Sequence, residues 1–307
     1  MELKPLRIED YPRLKGYFSD GKFRLSAYSL ASILAWSNSV SKAFYFEDNG
    51  RLVIAYECRK RPQENHLLLP VRRGAVDPPE ALADLADALG FRRYCFVPED
   101  YLDSYGRERI GACFKIELQP QYSEYLYNTG DLACLEGNRY REKRNRINKF
   151  SREYVGRGRT AVEEIQAGSV GECLEFLEEW CSHYPCTPEE NESLYCEKQA
   201  AVVSLNHLDL LELRGIQIRI DGRIRAFAVA SYLSDEIGVL SFEKALAEIK
   251  GLYQFLDREC ARRLFSGYPL INKESDMGLP GLARSKKSYH PVAMVPSYCL
   301  TLRAGSS

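Results

Sequence analysis

The 307-residue chain lacks several features that would settle its class at once. No apolar run approaches the roughly 20 residues needed to span a bilayer. The opening segment M-E-L-K-P-L-R-I-E-D has no apolar signal region, so a cytoplasmic protein without an integral membrane segment is expected. Ten cysteines are present without a single C-x-x-C pair, which reads as reduced thiols and not as a disulfide framework. The densest patch, Cys181, His183, Cys186 and Cys196, lacks the paired arms that structural zinc uses, and no metal is expected. A serine-hydrolase elbow, a P-loop and a Rossmann glycine fingerprint are all missing, which sets aside the chemistries they carry. Charge of one sign is missing too: the formal net charge is -1, so any surface for a polyanion must be local.

One such surface stands out. Gly137 to Phe150 reads G-N-R-Y-R-E-K-R-N-R-I-N-K-F and gathers Arg139, Arg141, Lys143, Arg144, Arg146 and Lys149 in one helical segment. At about 100° per residue, Arg139, Lys143 and Arg146 share one sector, while Arg141, Arg144 and Arg152 fall roughly opposite. Asn145 and Asn148 stand where a surface helix would carry Glu for i,i+4 pairing. Two readings stay open: a surface for phosphate, or charge that is solvated and paired with carboxylates. Tyr122, Tyr125, Tyr127 and Tyr140 either stack on unpaired bases or pack beneath the helix.

Along the chain, helix and strand signals alternate, which indicates an α/β class. Leu25–Asn38 has helical spacing, and Phe44–Glu47 and Leu52–Cys58 flank an N-G hairpin turn. His66–Val71 reads as a strand. A helix opens at Asp77-Pro78-Pro79 and stops at Gly90, and Arg93–Val97 and Cys113–Leu118 follow as strands. Gly156-Arg157-Gly158-Arg159 is the expected linker, dividing the chain into 1–155 and 156–307. The second half repeats the order: strand Ala161–Ile165, helices Val170–His183 and Glu189–Leu205, a hairpin Leu211–Ile220 with Ile224–Tyr232, strand Val239–Glu243, helix Leu252–Phe265, strand Leu270–Glu274 and helix Leu282–Tyr289. A strand meander, a helix and a further strand in each half is the order of the GNAT acyltransferase fold, so two tandem GNAT-like domains are expected.

Three segments carry a family resemblance. Tyr127-Asn128-Thr129-Gly130-Asp131-Leu132 leads into Gly137-x-x-Tyr140-x-x-Lys143-Arg144-Asn145-x-Ile147-Asn148-x-Phe150. Next come Phe242-Glu243-Lys244 and Lys250-Gly251-Leu252-Tyr253-Gln254. Asn272-Lys273-Glu274-x-Asp276-Met277-Gly278, Gly281-Leu282 and Lys286-x-Ser288-Tyr289-x-Pro291 complete the set. Over nearly the whole chain this resembles the phosphatidylglycerol lysyltransferase C-terminal-like family, in its stand-alone form. The resemblance implies a tandem GNAT fold shared with lysyl-phosphatidylglycerol synthases and Fem-type aminoacyltransferases. It also implies transfer of an aminoacyl group from aminoacyl-tRNA to an amine or hydroxyl. Lys143, Arg144, Asn145 and Arg146 would then meet the tRNA backbone, whose phosphates dominate affinity. Lys286 would contact the donor phosphate or the developing oxyanion.

Other positions are read from the residues themselves. Lys250, Gly251, Leu252 and Tyr253 open a helix either as a plain turn or with N–H groups that suit a phosphate, as coenzyme A would need; the full Q/R-x-x-G-x-G/A signature is absent. Glu243 is either a general base or the partner of Lys244 at a strand end. Asn272 is an orienting donor and Glu274 a second base, or Asp276 caps the turn that follows. The resemblance implies that Arg284 stands where GNAT acetyltransferases carry a tyrosine acid and that Ala283 replaces a family arginine; Tyr289 itself reads as a core aromatic and His290 as a surface histidine. The leading function is aminoacyl transfer to a small-molecule or peptide acceptor. The alternatives are an acyl-CoA N-acyltransferase and a catalytically silent double-GNAT module that binds RNA or protein. An enzyme requires Glu243, Glu274 and Lys286 to converge on a cleft of roughly 300 Å3 or more.

Overall fold

Two dipeptides turn one hairpin in each of the two sheets. Asn49-Gly50 and Asp221-Gly222 both hold positive φ at each residue (47° and 76°, 52° and 79°). That is the backbone a two-residue hairpin needs to match strand twist, and Asn, Asp and Gly reach it at little cost. The computed structural model describes residues 2–19, 21, 23–72, 74 and 76–303.

The chain divides into two units. One comprises Met1–Glu124, Glu274–Ala283 and Met294–Ser307; the other comprises Tyr125–Lys273 and Arg284–Ala293. The Gly156–Arg159 stretch lies inside the second unit. These units and the halves 1–155 and 156–307 thus differ over residues 125–155, Glu274–Ala283 and Met294–Ser307.

The first sheet has the order β1-β2-β3-β4-β5-β14-β6. Its strands are β1 (Lys4–Pro5), β2 (Ser41–Asp48), β3 (Arg51–Cys58), β4 (His66–Leu67), β5 (Arg93–Pro98), β6 (Phe114–Leu118) and β14 (Ser297–Leu302). Helix α1 (Leu30–Trp36) precedes β2, and α2 (Pro79–Leu89) joins β4 to β5. The β2–β3 hairpin pairs Asp48 with Arg51, and β4 runs antiparallel to β3 but parallel to β5. A parallel pair needs a crossover, and α2 supplies it, its Leu82, Leu85 and Ala86 buried and its end marked by Gly90 at φ 73°.

The second sheet, ordered β13-β7-β12-β11-β10-β9-β8, repeats this plan. Its strands are β7 (Glu124–Asn128), β8 (Thr160–Glu164), β9 (Arg214–Ile220), β10 (Arg223–Tyr232), β11 (Ile237–Ala245), β12 (Leu270–Ser275) and β13 (Ala293–Val295). Its helices are α3 (Thr129–Cys134), α4 (Arg141–Glu153), α5 (Val170–Ser182), α6 (Glu192–Asn206) and α7 (Leu252–Arg263); α8 (Pro280–Lys287) follows β12. Strands β9, β10 and β11 form an antiparallel meander, and β11 lies parallel to β12 with α7 as the crossover. Both sheets are therefore mixed, and each has the meander–helix–strand order read from the sequence. The α/β class holds.

One irregularity positions everything that follows. Along β10 and β11 the register jumps from Val229↔Phe242 to Ala230↔Leu240, leaving Ser241 as an extra residue. A bulge of this kind shifts the in–out alternation by one position. Before it, Gly238 and Leu240 face the layer of α7, and a Cβ on Gly238 would collide with Phe265 just past the end of that helix. After it, Glu243 and Ala245 take that face.

Candidate active site

Beyond the bulge, Glu243 meets a buried ionic cluster. The β11–α7–β12 crossover brings Glu243, Asp257 of α7 and Lys273 of β12 together. Lys273 Nζ donates to Glu243 Oε2 at 3.1 Å and more closely to an Asp257 oxygen. All three groups are withdrawn from water, with side-chain exposures of 16%, 6% and 10%. Two carboxylates share one ammonium, so the trio carries an unbalanced negative charge when fully ionised. Glu243 Oε1 is buried without a hydrogen-bond partner among the described residues.

A ring of aromatic and cationic groups closes around the trio. The Tyr289 hydroxyl donates to Asp257, and its ring centroid lies 5.3 Å from Lys273 Nζ and 3.8 Å from Lys143 Nζ. Lys143 on α4 also reaches Ser288 Oγ at 2.7 Å. Lys286 Nζ donates to the Lys273 carbonyl at 2.5 Å and lies 5.8 Å from the Tyr125 ring centroid. Two buried tyrosines fix this segment by its backbone: Tyr127 donates to the Lys286 carbonyl at 2.8 Å and Tyr140 to the Tyr289 carbonyl at 3.2 Å. These bonds fix the carbonyls from which the Lys286 and Tyr289 side chains reach the cluster.

The electrostatics follow from burial. Desolvation first, then the neighbouring Asp257, pushes Glu243 up to about 7, with Lys273 and Lys286 opposing. A carboxylate of that kind can take a proton near neutral pH. Lys273 is held well above the ordinary range because its two carboxylates outweigh burial. Lys143, half-buried and mainly desolvated, is lowered to about 8. A carboxyl raised and an ammonium lowered toward neutrality thus meet the same Asp257–Lys273 pair, a pattern common at functional sites.

Of the catalytic residues expected from sequence, Glu243 and Lys286 belong to this cluster. Asn272 is fully buried and registered against Val239, on the opposite face of β12 from Lys273, because successive strand residues alternate. Glu274 belongs to the first unit and sits at φ 55°, off the regular strand path. The alternative pairing of Glu243 with Lys244 does not occur. Adjacent strand residues point to opposite faces, and Lys244 instead bonds Glu197 of α6 at 2.7 Å, with its ammonium 4.1 Å from the Trp180 ring centroid. Sequence reasoning missed Lys273 and Asp257 and read Tyr289 as a core aromatic. Among the described residues, no group of three or more His, Cys, Asp and Glu is placed to hold a metal ion.

The segment 250–253 is packed. Gly251 caps α7 at φ 95°, and a Cβ there would lie 2.4 Å from the Arg146 carbonyl oxygen of α4. Leu252 is fully buried and its N–H is bonded to Ile249 at 3.1 Å. Tyr253 accepts from the Trp180 indole at 3.3 Å. Only Lys250 is exposed. The glycine is thus explained by the close approach of α4 to α7. Gly251→Ala combines a forbidden φ with a backbone clash and should cost at least ~2 kcal/mol, read as a lowered midpoint in thermal unfolding.

The basic segment begins as a 3-10 turn, Asn138–Tyr140, before α4 proper. Ile147 and Phe150 bury one face of α4. Arg144 turns back to the carbonyls of Leu135 and Gly137, at 2.5 and 2.6 Å, and so satisfies the C-terminal end of α3. Lys143 points to Tyr289, and Arg139 pairs with Asp131 at 2.8 Å. Asn145 and Arg146 are exposed, as are Arg141, Asn148, Lys149 and Arg152. The outward sector of α4 therefore combines Arg141, Asn145, Asn148, Lys149 and Arg152, with Glu142, Arg146 and Glu153 along one flank.

The family model Phosphatidylglycerol lysyltransferase, C-terminal, matches residues 21–301. A conserved protein of unknown function from Bacteroides thetaiotaomicron VPI-5482 superposes with a TM-score of 0.87 at 24% identity, covering 99% of this chain and 100% of that one. The C-terminal domain (DUF2156) of a proposed lysylphosphatidylglycerol synthetase from Agrobacterium fabrum superposes with a TM-score of 0.63 at 14% identity, covering 96% and 92%. At these identities the two structures speak for the fold. No curated protein matches the chain.

Proposed function

The chain belongs to the phosphatidylglycerol lysyltransferase C-terminal family, and from that premise we propose that it is an acyltransferase whose donor is an aminoacyl-tRNA and whose acceptor is an amine or hydroxyl compound of the cytoplasm. One observation carries the reading: a buried glutamate near neutrality, one oxygen bonded to Lys273 and the other unpartnered. Attack on an aminoacyl ester needs a base for the acceptor proton and a cation for the tetrahedral oxyanion. Glu243 is the base. Lys286, whose charge is felt at Glu243, is the cation. Lys273 and Asp257 hold Glu243 in place, and Tyr289 links that pair to Lys143.

The donor follows from the outward face of α4. Arg141, Lys149 and Arg152 are exposed, and each can neutralise a phosphate. Arg141→Ala with Lys149→Ala should lower the log–log salt slope of tRNA binding by about 0.7–0.9 per lost contact without changing the unfolding midpoint. Lys143→Ala with Arg144→Ala should instead lower that midpoint, because Arg144 satisfies α3. Equal loss of slope in both variants would remove the outward face from donor binding.

The deciding experiment follows discharge of charged total tRNA and of acetyl-CoA by the protein, with soluble amines, hydroxyl compounds and phosphatidylglycerol vesicles as acceptors. Discharge of tRNA to a soluble acceptor supports the proposal. Transfer from acetyl-CoA alone, or only to vesicles, overturns its donor or its acceptor.

A further inference from the structure

A second reactive site lies in the first unit, on the pairing of β5 with β14. The register there runs Val97↔Tyr298 and then Tyr94↔Leu300, so Cys95 and Phe96 together face the single residue Cys299. This is a bulge, and Phe96 holds it at φ 55°, a conformation that costs a bulky side chain on the order of 1 kcal/mol or more. Its effect is to bring two thiols side by side: Cys95 Sγ and Cys299 Sγ are 3.2 Å apart. Neither is bonded to another cysteine, and both are buried, at 5% and 2% exposure.

The surroundings of the two sulfurs differ. Arg93 Nε donates to Cys299 Sγ at 3.3 Å, and Thr301 also bonds that sulfur. The bond from Cys95 comes first and the arginine adds to it, and together they lower Cys299 to about 6 against its burial. Cys95 moves the other way, raised by the same contact and by burial. Gln119 secures the bulge, accepting from the Phe96 N–H at 3.1 Å and from Ser297 Oγ at 3.2 Å. The guanidinium at 3.3 Å thus favours the negative charge on Cys299, with Cys95 as its proton-bearing neighbour. That is the arrangement of an attacking and a resolving cysteine.

We propose that Cys95 and Cys299 form a reversible, peroxide-sensitive thiol pair that closes to a disulfide between β5 and β14. The Cys299 thiolate attacks one oxygen of hydrogen peroxide, and the O–O bond breaks to give a sulfenic acid and hydroxide. The Cys95 sulfur then attacks the Cys299 sulfur, the S–O bond breaks, and water leaves with the Cys95 proton. Two thiols are oxidised, one peroxide is reduced, and two waters form once the hydroxide is protonated. Burial restricts the oxidant to a small hydroperoxide, because a bulky disulfide cannot reach either sulfur. The product ties the C-terminal strand to the sheet it closes.

The test treats the full chain with graded hydrogen peroxide, blocks remaining thiols under denaturing conditions and maps disulfides by mass spectrometry. The expected result is a Cys95–Cys299 bridge, 2 Da lighter than the dithiol, reversed by dithiothreitol and not formed with oxidised glutathione. Cys95→Ala should leave Cys299 trapped by dimedone. Arg93→Gln, checked for an intact thermal transition, should slow bridging at least ~5-fold through loss of the thiolate's cation. The proposal is overturned if Cys95 and Cys299 both remain free at peroxide levels that oxidise the exposed Cys134. An unchanged rate in Arg93→Gln, or no dimedone adduct at Cys299 in Cys95→Ala, overturns it equally.

Discussion

Replacing Lys273 by Met should destabilise the protein by about 3–5 kcal/mol at pH 8, the usual consequence of stranding a buried charge. At ~2–4 °C per kcal/mol for a unit of this size, the thermal midpoint should fall by about 10 °C. The cause is specific: Lys273 is the ammonium that both Glu243 and Asp257 bond, and without it two carboxylates face each other out of water. Adding Asp257→Asn to the variant should recover much of the loss, since a single buried carboxyl can then stay protonated. A mild effect of Lys273→Met, with no rescue by Asp257→Asn, would mean that the trio is solvated and not the ionic cluster described above.

Glu243→Gln should show the opposite pairing of effects. Transfer should fall at least ~100-fold, the lower end of what a positioned proton acceptor contributes. Stability should rise at pH 8. Glu243 titrates from the ordinary 4.5 up to about 7 in the fold, so the folded state holds a proton that the unfolded chain releases between those values. Its contribution to stability therefore declines as pH rises through that window and is at its least favourable above 7. Gln carries no such cost and can still accept from Lys273. The gain, on the order of 3 kcal/mol at pH 8, should shrink through the window and vanish below about 4.5. Midpoints by scanning calorimetry at pH 4.5 and pH 8 measure it. A residue kept at the expense of stability is one retained for chemistry. A Glu243→Gln protein that is less stable at pH 8 would make the glutamate a structural ion-pair partner.

Much of the fold was legible because its signals are local. The N-G and D-G turns fall where β2–β3 and β9–β10 reverse, and the predicted helix Val170–His183 differs from α5 by one residue at its end. Where the signal is not local the reading stopped. Strand β14 inserts between β5 and β6, and no pattern in Ser297–Leu302 names those partners. Glu124–Asn128 is a strand with four consecutive buried residues, Glu124 among them and bonded to Ser26 at 2.6 and 2.8 Å, so neither alternation nor a purely apolar run marks it.

The site was half legible for the same reason. Glu243 and Lys286 drew a role from the sequence, whereas Lys273 drew none although it stands in a quoted motif, and Asp257 stands in no motif. In sequence Lys273 is one lysine between Asn272 and Glu274, and Asp257 lies within the helix pattern F-L-D-R-E-C. Their importance depends on the bulge at Ser241, which decides the face Glu243 takes and is invisible to strict alternation. Lys250-Gly251 left two readings open, a phosphate cradle and a plain turn. A glycine at a helix start suggests a phosphate cradle, yet here the neighbouring carbonyl of Arg146 fills the space where a Cβ would stand.

The most direct test is a single-turnover pH series, from 5 to 9, of aminoacyl-tRNA discharge to an amine acceptor by the wild-type protein and by Glu243→Gln. A base near neutrality predicts a wild-type rate that climbs about tenfold per pH unit and levels off near 7, with a slow, flat profile in the variant. Equal profiles in the two proteins, or a wild-type rate with no inflection between 6 and 8, would contradict the assignment of Glu243 as the base of an acyl transfer.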